Sequence, residues 1–179
     1  VDDQIANHAR VLAANGLVVQ ALRWQSCVCG TITIVELFSI GNRPEAAVNH
    51  LLRMVERPET ELFHDELVTN VTEELVGNEA FVKAIAGVMS LRSQLNRHDR
   101  PRMERLRTVL AEALQRREQD VYMYYQDFVE SGPDLNRLTQ AQHDRVAGYQ
   151  KTFQRIHDAE AVLGVTSVLP RLDTSHRQE

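Results

Sequence analysis

The sequence predicts an all-α protein: a bundle of about six or seven helices that ends in a long antiparallel helical hairpin. Three observations predict it. Apolar residues recur at three- and four-residue steps along most of the 179 residues, the period of a helix with one buried face. The interruptions are built from glycine, proline, asparagine and aspartate in the order that stops one helix and starts the next. Only Thr31 to Val35 alternates and is β-branched as a strand would be, and its one candidate partner is the short run from Val165 to Leu169.

Ile5, Ala9, Leu12, Gly16, Val19 and Leu22 form one stripe, which predicts a first helix over about residues 3–26. Residues 28–40 read as a buried helix, because a lone strand at Thr31–Val35 lacks a sheet to join. Gly41-Asn42-Arg43-Pro44 is a stop followed by a start, with proline suited to a first helical turn. Val48, Leu51, Leu52 and Val55 mark a short helix ended by Arg57-Pro58. Thr60 caps the next, which carries Leu62, Phe63, Leu67, Val71 and Leu75 and closes at Gly77-Asn78. Asn78 then caps a helix through Phe81, Ile85, Val88, Leu91 and Leu95.

After a polar break at 96–101, with Asp99 as the expected cap, come the two long helices of the hairpin, 101–131 and 135–164. Met103, Leu106, Leu110, Ala113, Val121, Tyr124 and Phe128 set the stripe of the first, with Arg117 interrupting it. Ser131-Gly132-Pro133-Asp134 is the turn. Leu138, Ala141, Val146, Tyr149, Phe153, Ile156 and Leu163 set the second stripe, and Thr139 with Gln142 matches a capping box. Residues 1–169 are therefore expected to form a single helical domain, and 170–179 a polar, frayed tail.

Composition is that of an ordinary globular chain, with 43% hydrophobic and 25% charged residues. The longest apolar stretch, Cys27 to Ile40, is interrupted by polar residues and too short for a bilayer, so no membrane span is expected. Cys27 and Cys29, with one residue between them, are poorly placed to bridge each other and read as reduced thiols, which points to a cytoplasmic or nuclear setting.

Charge is sorted along the chain. Glu56 to Glu79 holds eight carboxylates against Arg57, a net of −7, whereas Arg92 to Arg117 holds eight arginines against Asp99, Glu104 and Glu112, a net of +5. Arginine dominates the basic residues, with Lys83 and Lys151 the only lysines. Its planar fork suits carboxylates and phosphates. The pattern nominates Arg97, Arg100, Arg102, Arg105 and Arg107, facing Glu61, Asp65, Glu66, Glu73 and Glu74, as a charged contact surface. Trp24, Tyr122 and Tyr125 are nominated as its aromatic counterparts, since tyrosine and tryptophan supply large contact area with few rotors.

Catalytic signatures are weak. Glu61-x-x-His64 places a carboxylate and an imidazole on one helical face, but a di-iron bundle uses two such pairs and two further glutamates. The nearest mirror, His157-x-x-Glu160, runs in the reversed order. Cys27-x-Cys29 has no second knuckle to complete a zinc site. The seven histidines show no ligand spacing, and neither a nucleophile elbow nor a phosphate-binding glycine loop occurs. The expectation is a non-enzymatic interaction or assembly protein with no cofactor and no metal site, whose partner is another protein or a second copy. Two alternatives follow from the same residues: a coat- or nucleocapsid-like protein that holds nucleic acid on the Arg92–Arg117 block, and a ligand-sensing domain with a pocket at Trp24, Phe38, Phe63 and Phe81.

Overall fold

The computed structural model describes residues 1–25, 34–56 and 70–164, and among these every regular element is a helix. In chain order they are α1 (Asp2–Ala14), α2 (Val18–Gln25), α3 (Ile34–Ile40), α4 (Pro44–Glu56), α5 (Thr72–Gly77), α6 (Glu79–Leu95), α7 (Asp99–Glu130) and α8 (Gln140–Leu163). No helix among the described residues is long and apolar enough to cross a membrane. The helical half of the Thr31–Val35 question is answered from Ile34 onward; Thr31 to Thr33, both cysteines and the Val165–Leu169 run lie outside the described residues.

The predicted first helix is two. Gly16 adopts φ +80, its N–H bonds the Ala13 carbonyl at 3.0 Å, and the Leu17 N–H reaches back to Leu12 at 2.9 Å. That paired pattern is a Schellman stop, which a glycine in the left-handed region makes without a Cβ clash. The break also resets the phase. Val18 and Ala21 face inward, and Val19, expected in the buried stripe, is exposed. Ala6, Ala9, Ala13 and Ala21 then let α1 and α2 approach Leu37 of α3 closely.

The same motif ends α3, one residue later than the glycine suggests. Asn42 takes the positive φ of 51, with Arg43 N–H bonding Phe38 O at 2.8 Å and Asn42 N–H bonding Ser39 O at 3.1 Å. Gly41 is needed for space instead: a Cβ there would run into the Val18 side chain and crowd the Leu37 and Ala13 carbonyls. Pro44 opens α4, and the Asn78 side chain caps α6 by accepting from Phe81 N–H at 3.1 Å, both as the sequence predicts.

The main core gathers Val48, Leu51 and Leu52 of α4, Leu75 of α5, Ile85 and Met89 of α6, Met103, Leu106, Leu110 and Leu114 of α7, and Ile156 and Leu163 of α8. α7 starts at Asp99, which caps nothing with its side chain but serves two arginines instead. Along α7 the inward stripe continues through Leu114, Glu118, Val121, Tyr125 and Phe128. Tyr124, expected on that stripe, is 62% exposed. α8 opens on the predicted capping box: Thr139 Oγ1 accepts from Gln142 N–H at 3.3 Å and Gln142 Oε1 accepts from Thr139 N–H at 2.8 Å. α8 then lies along α7, with Arg145 over the Phe128 ring, Tyr149 edge-on to Tyr125, and His157 beside Glu118.

Candidate functional site

Two places concentrate polar chemistry: the α6–α7 turn, where the arginine block begins, and the α7–α8 seam.

At the turn, Arg102 takes Glu56 with Nε–Oε1 2.6 Å and Nη2–Oε2 3.1 Å, and also reaches Asp99 at 3.1 Å. Arg92 bonds Asp99 at 3.2 Å and Asn49 at 2.7 Å, and Arg107 bonds Glu104 at 2.7 Å. The hydrogen bond from Arg102 holds Glu56 below the usual carboxylate range, and that from Arg92 does the same for Asp99. Three arginines of the block are therefore matched within the chain. Arg97, Arg100 and Arg105 have exposed side chains, Arg100 reaching only the Ser93 carbonyl at 3.4 Å. Leu91 and Leu95, on the same side of α6, are 55% and 76% exposed and lead directly into Arg97.

Of the predicted acidic partners, Glu61, Asp65 and Glu66 lie outside the described residues. Glu73 is exposed. Glu74, on α5, is partly buried, and that burial raises its pKa against an opposing hydrogen bond with Ser39 of α3. Among the predicted aromatics, Trp24 is at the surface with His8 edge-on at 4.9 Å, Tyr122 is half-buried, and Tyr125 is buried against Tyr149 in the seam. Of the residues of the expected aromatic pocket, Phe38 and Phe81 are buried in the main core, Trp24 is at the surface, and Phe63 is outside the described residues.

In the seam, Glu118 of α7 meets His157 and Glu160 of α8. His157 Nε2 lies 3.2 Å from Glu118 Oε1, and Nδ1 lies 3.9 Å from Glu160 Oε2. The spacing of His157 and Glu160 puts both on one side of α8. Glu118 is 0% and Glu160 2% exposed, while His157 reaches the surface with one edge. The 3.2 Å approach is an ion-pair distance without hydrogen-bond alignment. Both oxygens of Glu118 and Oε1 of Glu160 thus lack a hydrogen-bond partner. Burial raises the Glu118 pKa, opposed by attraction to His157; burial and then the Glu118 carboxylate push Glu160 up to about 7.

The sequence contains the signal for two of the three residues of this cluster. His157-x-x-Glu160 is visible as a motif, but Glu118 is not, because in the sequence its neighbour Arg117 falls on the apolar stripe of α7 and interrupts it. In the fold, Glu118 holds the inward position.

Comparison of the chain with protein-family models, with curated proteins and with solved structures finds no match.

Proposed function

We propose that this chain is a non-enzymatic interaction protein that assembles through the C-terminal end of α6 and the α6–α7 turn, and that the partner is a second copy. The observation that carries the reading is the exposed Leu91–Leu95 pair leading into the outward Arg97 and Arg100. An apolar ridge with guanidiniums at its rim suits a partner that offers apolar surface beside carboxylates. The chain itself supplies such charge in the Glu56–Glu79 block. The internal pairing of Arg92, Arg102 and Arg107 narrows the contact from the whole block to its outward members. It also weakens the nucleic-acid alternative, since Glu56, Asp99 and Glu104 stand among the same arginines.

We read the helices as a bundle whose α7 and α8 form the long antiparallel hairpin. The contacts 128 with 145, 125 with 149 and 118 with 157 support this, because one number rises as the other falls.

Light scattering coupled to size exclusion tests the assembly. The expected result is a dimer or larger species at about 50 mM salt that dissociates at about 500 mM, because exposed charge pairs are screened. Leu95→Ser with Arg97→Gln should give a monomer at both. A wild-type monomer under both conditions would sink the proposal, and a fluorescence-anisotropy shift with short RNA at low salt would favour the nucleic-acid alternative.

A further inference from the structure

We infer that Glu118, His157 and Glu160 form a binding site for one divalent first-row transition-metal ion, held between α7 and α8. The inference is independent of the surface contact proposed above.

The donor atoms are already gathered. One imidazole nitrogen and two carboxylate oxygens lie within 4.8 Å of one another. A metal about 2.1 Å from each donor would set them roughly 3–4 Å apart, a closure of about 1 Å that carboxylate rotation supplies. They come from two helices, so the contact crosses the seam rather than decorating one helix face.

A second observation points to a ligand. Buried carboxylates in folded proteins are paired or coordinate metals, because an ionised group out of water without compensation is strongly unfavourable. Glu118 is fully buried with neither oxygen hydrogen-bonded, and its inward side faces His157. Glu160 leaves a second buried oxygen unmatched. An ion at the centre would satisfy these atoms together.

Charge selects the ion. Two carboxylates and a neutral imidazole carry −2, which a dication cancels within a low-dielectric interior and a monovalent ion does not. Donor type narrows it further: calcium and magnesium favour sets made wholly of oxygen, whereas imidazole with carboxylates suits zinc, manganese or ferrous iron. The two sealed carboxylates suit a resident ion that ties α7 to α8.

Equilibrium dialysis of the full chain, stripped with chelator, against Zn²⁺ and Mn²⁺ with Mg²⁺ as comparison, followed by elemental analysis and thermal melting, tests the site. Expected are one Zn²⁺ or Mn²⁺ per chain, a raised melting temperature, and at least tenfold weaker binding for Glu118→Gln and for His157→Gln. Glu118→Gln keeps the shape and removes a buried charge, so it should fold; His143→Gln, at an exposed position of α8, should bind as the parent does. Less than about 0.2 ion per chain, binding unchanged by both seam variants, or Mg²⁺ bound as tightly as Zn²⁺ and Mn²⁺ would each overturn the inference.

Discussion

Arg102 grips Glu56 with two sides of its guanidinium, Nε to Oε1 at 2.6 Å and Nη2 to Oε2 at 3.1 Å, and so joins the end of α4 to the first turn of α7. This is the one described ion pair that links the acidic and basic blocks. It is a bidentate pair at a partly exposed position, where fork geometry helps but solvent screens.

Glu56→Gln and Arg102→Gln should therefore each lower stability by no more than about 1 kcal/mol, with most of it recovered as coupling in the double variant. Because the folded pKa of Glu56 is lowered, the contribution is present above the unfolded value and is lost as pH falls through the folded one. Urea denaturation of the four proteins at pH 7 and near pH 3 measures both. An undiminished coupling near pH 3 would contradict the assignment.

Gly41→Ala should destabilise by roughly 1–3 kcal/mol, the range for overpacking a filled site. The added methyl meets the Val18 side chain, which can shift, and two carbonyls that cannot easily do so. Val18→Ala in the same chain should recover part of the loss. If Gly41→Ala alone is neutral, α2 and α3 do not approach as closely as described.

The contrast between Gly41 and Gly16 shows what was legible in the sequence. A stop signal is visible as a residue type, and at Gly41, followed by Asn42 and Pro44, it is legible; Gly16 stands in phase with the apolar stripe and reads as the interior of one helix. Whether a glycine supplies a left-handed turn or only room depends on what packs beside it, and Val18 is distant in sequence from Gly41. The Asn78 cap and the Thr139–Gln142 box were legible because their partners are three residues away. Glu118 was not, because one-residue phase errors accumulate along a helix of 32 residues and exchange neighbours such as Arg117 and Glu118 between surface and seam. Its partners, His157 and Glu160, belong to another helix.

Thr139→Ala should cost about 1 kcal/mol, because it removes the acceptor for one of the unpaired N–H groups at the start of α8. Gln142→Ala should cost less, since it leaves the Thr139 hydroxyl in place. Amide exchange would localise the effect to the first turn of α8. Uniform loss of protection along the helix would mean that the cap governs more than fraying.

Glu160 gives the chain a pH dependence opposite in sign to that of Glu56. Burial, then the neighbouring carboxylate of Glu118, raise its folded pKa from 4.5 to about 7. Between those values the folded, metal-free chain holds a proton that the unfolded chain has released, so stability falls as pH rises from about 4.5 to about 7. The loss is on the order of 3 kcal/mol for this group, and the raised Glu118 adds in the same direction. Glu160→Gln, neutral at every pH, should flatten the profile and be more stable than the parent at pH 8. Metal should oppose this slope, because its ligands bind deprotonated: the gain on adding Zn²⁺ should grow from pH 5 to pH 8, reaching about 2.7 kcal/mol where free metal is a hundredfold above its Kd. Denaturant midpoints at pH 5 and pH 8, with chelator and with Zn²⁺, read both slopes. A metal-free parent that is more stable at pH 8 than at pH 5, with Glu160→Gln unchanged in slope, would show that the two buried carboxylates do not carry this proton linkage.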